Sequence, residues 1–156
     1  SADMSNEKSK LPERQETLIV QSLIKSGLFV QRELNLVCQQ FGLNINQFNT
    51  LNEIILRGPF SQKVLCERLL FEKSNISKIV RALLDKELIN IATAPEDRRL
   101  TLLIETQKGV ERWKECRQSF HKSGTELMSA FSDEEIHSAL NLLKRIEKEF
   151  KSISAK

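Results

Sequence analysis

Several hallmarks of well-known protein classes are missing from this 156-residue chain. It has no run of about 20 apolar residues, so we predict no membrane span. No positively charged segment followed by an apolar run opens the chain, so we expect no signal peptide and a cytoplasmic location. Neither sign of charge dominates, because the net charge is only +3. Any contact with nucleic acid must therefore depend on where individual cations lie.

Motifs of the common enzyme classes are missing as well. The chain has no glycine-rich phosphate loop, no nucleophile elbow and no His-Glu-x-x-His pair. His121 and His137 are too scattered for a metal site. The three cysteines include no Cys-x-x-Cys pair, which predicts reduced thiols. We therefore expect a protein that is not an enzyme and that needs neither a metal nor another cofactor.

Apolar periodicity predicts a chain made mostly of helices. Residues 1–11 are polar, and we expect a disordered tail there, in which Ser1-Ala2-Asp3 is a cloning remnant. A helical pattern follows over residues 12–42, with apolar residues at three- and four-residue steps. Capping boxes at Asn44 to Gln47 and at Ser132 to Glu135 predict two later helix starts.

Two short helical patterns lie between these boxes. Ser61 is placed to cap a helix that extends to about Leu70, and Ser74 to Asp85 forms the next helix. A tight turn joins them, which is typical of a helix-turn-helix.

The second helix of this pair is predicted to enter the major groove of DNA by its N-terminal end. Asn, Lys and Arg side chains read adenine and guanine edges, and Ser74 with the backbone N–H groups at the helix start suits a phosphate. The alternative is an ordinary solvated helix face. The predicted contacts are the outward residues Lys73, Ser74, Asn75, Ser77, Lys78 and Arg81.

A β-ribbon with a cationic tip is predicted next. Apolar runs at 88–91 and 100–104 flank a polar loop that ends in two arginines. We expect Arg99 to enter a minor groove, where the negative potential is deepest. Asp97 is expected to hold the Arg99 guanidinium by charge-assisted hydrogen bonds, with Arg98 as a phosphate contact or alternate. The alternative is an exposed ion pair of little energetic value.

Residues 43–109 resemble the MarR family of bacterial winged-helix regulators. The resemblance implies a mainly α fold with a small β-ribbon. A winged helix-turn-helix lobe at 43–105 would lie between an N-terminal dimerisation helix at 12–42 and C-terminal dimerisation helices at 106–156. The motifs that carry the resemblance are Gln47-Phe48, Gly58-Pro59, Glu67-Arg68-Leu69, Ser74-Asn75-Ile76-Ser77-Lys78-Ile79-Val80, Lys86-Glu87-Leu88-Ile89, Pro95-Glu96-Asp97-Arg98-Arg99 and Thr106-Gln107-Lys108-Gly109.

Three positions depart from the family's pattern. Leu70 and Glu87 stand where the family usually has glycine, and Glu105 stands where it usually has leucine. We expect either a differently shaped turn at Leu70 or an extra apolar contact made by Leu70 and Phe71, and a less sharp helix end at Glu87.

The terminal helices predict a homodimer. Their apolar stripes exceed what one small winged-helix core can bury, and soluble monomers avoid large apolar surfaces. A two-fold dimer would hold two recognition helices about 34 Å apart, at the spacing of a near-palindromic site on double-stranded DNA. We predict a sequence-specific transcriptional regulator that acts mainly as a repressor, with activation as the other outcome.

Two further readings stay open at this point. The resemblance implies a small phenolic or other lipophilic effector between the dimer helices and the DNA-binding lobe, while Cys38 near the end of the first helix is the candidate for redox sensing.

The rival function is a winged-helix interaction module without DNA binding. Such a module would expose apolar residues at 73–81, and Phe71 alone points that way.

Overall fold

The computed structural model describes residues 14–154, so the predicted tail at 1–11 lies outside the described residues. The prediction of a mainly α fold with a small β-ribbon is confirmed. One compact unit ends at Trp113, and a second begins at Lys114. The elements in chain order are α1 (Gln15–Gln40), α2 (Ile45–Arg57), α3 (Gln62–Leu69), α4 (Lys73–Asp85), β1 (Ile89–Thr93), β2 (Thr101–Glu105), α5 (Gln107–Met128) and α6 (Asp133–Ser154).

Side chains fix the helix starts where the sequence predicted them. Asn44 Oδ1 accepts from the Gln47 amide at 2.8 Å, and Gln47 Oε1 accepts from the Asn44 amide at 3.2 Å. The Ser132 and Glu135 pair makes the same reciprocal exchange, at 3.1 Å in each direction. Each pair satisfies two backbone donors that the first helical turn leaves without a partner.

The core of the first unit lies among α2, α3, α4 and the ribbon. β1 and β2 pair antiparallel, with Ile89 opposite Glu105 and Thr93 opposite Thr101. Apolar side chains from all these elements are removed from water, which is the main favourable contribution to folding. The buried apolar residues that these elements supply are Phe48, Leu51, Ile54, Leu65, Ile76, Ile79, Val80, Leu83, Ile89 and Leu103.

The start of α5 is fastened to the end of α4. Thr106 Oγ1 accepts from the Gly109 amide at 2.9 Å and donates to the Glu87 carbonyl at 2.6 Å. The Thr106 amide donates to the Leu88 carbonyl at 3.1 Å. A side chain at position 109 would collide with that same carbonyl. Only a glycine at this position allows such a close approach.

Two residues of the left-handed region lie at the ends of α3 and α4. Leu70 follows α3 with φ 56°, and Glu87 follows α4 with φ 59°. The left-handed region costs an L-residue with a side chain roughly 1–2 kcal/mol. The chain therefore carries strain at the two positions where the family pattern has glycine.

Leu70→Gly is expected to raise the free energy of unfolding by about 0.5–1 kcal/mol, because the strain relieved exceeds the entropy that glycine adds to the unfolded chain. Little packing is lost, since the Leu70 side chain is 90% exposed. Urea denaturation measures the change. Leu70→Ala, which keeps the strain, is the control and should leave stability nearly unchanged. A destabilised Leu70→Gly protein would contradict this account.

The terminal helices leave much apolar surface uncovered. In α1 only Cys38 is buried, and α6 buries no residue at all. Among residues 14–154, none of the helices combines the length and apolar character that a membrane span requires. The large exposed apolar residues of these two helices are Leu18, Ile19, Val20, Ile24, Leu28, Phe29, Val30 and Leu36 in α1, and Leu140, Leu142, Leu143, Phe150 and Ile153 in α6.

Candidate nucleic-acid interface

Helix α4 turns one apolar face inward and one polar face outward. Ile76, Ile79, Val80 and Leu83 are buried and anchor the helix to the core of the first unit. The positions between them face solvent because a helix repeats every 3.6 residues. All six predicted contact residues lie exposed on this outer face: Lys73, Ser74, Asn75, Ser77, Lys78 and Arg81.

The N-terminal end of α4 has no side-chain cap, because the side chain of Glu72 at the cap position makes no cap hydrogen bond. The amides of Asn75 and Ile76 both donate to the Glu72 carbonyl at 3.0 Å. The first turn of α4 contains Lys73 and no acidic residue. A cation at the positive end of the helix dipole adds to a field that attracts anions.

The Ser77 hydroxyl is already engaged within the protein. Ser77 Oγ donates to the Lys73 carbonyl at 3.0 Å, four residues back along α4. It also accepts from Gln62 Nε2 at 2.9 Å, and Gln62 is the first residue of α3. Sequence reasoning did not single out Gln62, since no local pattern pairs residues 15 positions apart on two different helices. The two helices of the helix-turn-helix are thus joined by side chains on their exposed surface.

The loop between β1 and β2, which we call the wing, is shaped by Asp97. The Asp97 carbonyl accepts from the Leu100 amide at 3.0 Å, and Asp97 Oδ1 accepts from the Arg99 amide at 3.0 Å. The Asp97 carboxylate therefore holds the backbone of Arg99, whereas the sequence predicted that it would hold the guanidinium. A short aspartate side chain readily binds an amide two residues on, which fixes the turn locally. Arg98 and Arg99 are both exposed at the tip of the wing.

An ion-pair cluster fixes the base of the wing to the helices. Phe60 pairs with Leu103 of β2 in an isolated bridge, and the Leu103 amide donates to the Phe60 carbonyl at 2.7 Å. The Arg68 guanidinium lies 4.9 Å from the centre of the Phe60 ring. Glu53 holds Arg68 through Oε1 at 2.6 Å from Nε. Its other oxygen lies 3.1 Å from Arg57 Nη1. β2, the strand that follows the wing, is therefore tied through Phe60 to α2 and α3.

The three cysteines are thiols set into helices. Cys38 in α1 and Cys116 in α5 are buried, and Cys66 Sγ donates to the Phe71 carbonyl at 2.8 Å. Burial restricts access of an oxidant to Cys38, the residue suggested for redox sensing. Across the chain from 14 to 154, His, Cys, Asp and Glu side chains form no group of three that could hold a metal ion.

Comparisons with known proteins agree with the winged helix-turn-helix geometry. Residues 41–100 match the model of the MarR family, which covers α2 to the end of the wing. The HTH-type transcriptional regulator MhqR of Bacillus subtilis (strain 168) is 26% identical over 117 residues, which span 75% of this chain and 81% of the relative.

Solved structures show the same fold at low sequence identity. The MarR family transcription regulator SP03579 is 18% identical, with a TM-score of 0.82 and coverage of 99% of both chains. The apo form of wild-type MarR from E. coli is 20% identical, with a TM-score of 0.72 over 87% of this chain and 98% of the other. The family model over residues 41–100 and the curated relative support the MarR family of transcriptional regulators, and the solved structures share its fold.

Proposed function

We propose that this protein is a homodimer that binds a pseudo-palindromic site on duplex DNA and represses transcription by occluding the promoter. One observation carries this proposal. Over residues 73–81 the outer face of α4 exposes only polar and cationic side chains, and the wing of the same unit exposes two arginines. Both surfaces have the chemistry that DNA grooves require.

The outer face of α4 supplies the contacts to base edges in the major groove. Asn75, Lys78 and Arg81 carry the donors and acceptors that distinguish adenine and guanine from the other bases. Lys73 and Ser74 lie at the start of the helix, where they meet a phosphate. A protein-docking surface would instead carry exposed apolar residues over residues 73–81, where α4 exposes none. In the turn before α4, Phe71 is half-buried and Leu70 is exposed.

The wing supplies the contact to the minor groove. Arg99 lies at an exposed turn whose backbone is fixed by Asp97, so the side chain of Arg99 leaves the wing from a defined backbone position. Arginine is drawn into a narrow minor groove by the negative potential there. Arg98 meets the neighbouring phosphate.

The dimer is inferred from the uncovered apolar residues of α1 and α6. Leu28 in α1 is 61% exposed and Phe150 in α6 is 57% exposed, and both belong to longer apolar sets. A second copy covers this surface, and a two-fold arrangement is the commonest way to do so. The segments 12–42 and 106–156 then serve dimerisation, and 43–105 is the DNA-binding lobe.

Release from DNA follows from a shift between dimer conformations. A small phenolic or other lipophilic ligand that binds one spacing of the two lobes better than another shifts the population toward it. The test is whether such compounds lower the affinity for the operator without unfolding the protein.

Selection from random duplexes tests the proposal, with Arg99→Ala as the variant. We expect an inverted repeat to be enriched and its affinity to fall steeply with salt, because binding releases counterions from the phosphates. Arg99→Ala is expected to weaken binding about tenfold. Lys114→Ala removes a positive charge from an exposed position of α5, outside α4 and the wing, and is the control, expected to bind like the wild type. Failure to enrich any duplex, or an affinity that does not change with salt concentration, would overturn the proposal.

A further inference from the structure

Gln62 and Ser77 form a hydrogen-bonded unit across the helix-turn-helix. Gln62 Nε2 donates to Ser77 Oγ at 2.9 Å, and Ser77 Oγ donates in turn to the Lys73 carbonyl at 3.0 Å. Ser77 lies one turn into α4, on its exposed face. The unit is therefore part of the surface that faces DNA in the proposed function.

The donor capacity that remains within this hydrogen-bonded pair lies on Gln62. A serine hydroxyl has one hydrogen, and the Lys73 carbonyl uses it. The Gln62 amide has two hydrogens on Nε2, of which the Ser77 bond uses one. One N–H and the carbonyl oxygen Oε1 remain available, which is a donor and an acceptor side by side.

We propose that Gln62 determines specificity by reading an adenine in the major groove, and that Ser77 is a positioning residue that orients it. The assignment rests on the proposed DNA-binding function. Adenine offers an acceptor at N7 and a donor at N6, and a glutamine amide pairs with both. A phosphate offers acceptors only and would leave Oε1 without a donor. The neighbouring exposed Lys63 has the chemistry for a phosphate contact.

The surface that contacts base edges in this proposal thus extends beyond α4 to the first residue of α3. Ser74 and Arg81 lie about one turn before and after Ser77 on the same exposed face. The hydrogen bond that Gln62 donates to Ser77 brings a side chain of α3 onto this face, where the Ser77 hydroxyl can no longer donate because its hydrogen is used by the Lys73 carbonyl. The sequence predicted that Ser77 itself contacts DNA, whereas in this proposal Ser77 acts on DNA only by orienting Gln62.

Binding of single-base variants of the selected operator tests the assignment. Gln62→Ala is expected to lower affinity for the best site about fivefold to hundredfold and to abolish the preference for adenine at one base pair of each half-site. Ser77→Ala should relax the preference at that same base pair to a smaller extent. The double variant should match Gln62→Ala alone, because the two residues act as one unit. Replacing that adenine by 7-deazaadenine should weaken wild-type binding and leave Gln62→Ala binding unchanged.

Two further variants separate base reading from a structural or phosphate role. Lys63→Ala, next to Gln62, should weaken all operators alike and reduce the salt slope by about one phosphate. Gln62→Glu keeps the size of the side chain but loses both amide hydrogens, so it should disfavour adenine at the same base pair while its circular dichroism and melting temperature stay as in the wild type.

The outcomes keep the two proposals apart. A wild-type protein that binds no duplex overturns the proposed function. A wild-type protein that binds, together with a Gln62→Ala variant that weakens all base variants equally or none of them, overturns only the role of Gln62. Additive losses in the double variant would overturn the positioning role of Ser77.

Discussion

Leu143→Glu is expected to leave the protein monomeric at micromolar concentration and to weaken operator binding about 100- to 10,000-fold. Leu143 lies within the apolar stripe of α6 and is 44% exposed in the single chain. A second copy that covers this stripe would have to bury the new carboxylate without a partner, which is costly. Loss of the dimer separates the two reading helices and removes the gain from binding both half-sites at once.

Asn141→Glu is the matched control for this prediction. Asn141 also lies in α6 and is exposed, and the residues three and four positions away from it are polar, so the variant adds the same charge outside the apolar stripe. It should remain dimeric and bind DNA like the wild type. Analytical ultracentrifugation and titration of the operator measure both properties. A Leu143→Glu protein that stays dimeric would show that α6 lies outside the interface.

Gly109→Ala is expected to lower the free energy of unfolding by about 2–3 kcal/mol. The added methyl group would collide with the Leu88 carbonyl, which also accepts a hydrogen bond from the Thr106 amide. A backbone carbonyl cannot move away as a flexible side chain can, so α5 must shift against the end of α4. Leu88 lies between α4 and β1, and Thr106 directly follows β2. A shift at this contact should therefore disturb both α4 and the ribbon and lower the affinity for DNA as well.

Gly124→Ala tests the same substitution elsewhere in α5. Nothing lies within contact distance of a side chain at position 124. Alanine is the better helix former, so this variant should gain up to about 1 kcal/mol. Chemical denaturation of both variants gives the comparison. Equal effects at the two positions would contradict the account of the α4–α5 joint.

Local signals in the sequence predicted the framework of the fold. The Asn44 and Ser132 boxes and the Gly58-Pro59 break act within a few residues, so a single sequence carries them completely. The six outer residues of α4 were predicted because helical periodicity alone decides which positions an apolar stripe leaves outside.

Contacts between distant segments could not be predicted in the same way. The bond from Gln62 to Ser77 depends on how α3 crosses α4, and the Arg68 contact with Phe60 depends on how the wing base packs. The hydrogen bond of Asp97 could not be predicted for another reason. The backbone amide and the guanidinium of Arg99 are both suitable donors to the Asp97 carboxylate, and the structure shows the amide as the donor. Leu70 was recognised as a departure from glycine, but only the structure shows that it keeps the left-handed conformation.

The mass of the protein–DNA complex tests the central claim most directly. Two copies of the chain on one duplex that contains a single inverted repeat are predicted for the wild type, measured by light scattering after size-exclusion chromatography. The same duplex with one half-site scrambled should lose most of the binding. A complex of one chain with one duplex, whose affinity is the same when the second half-site is scrambled, would contradict the account.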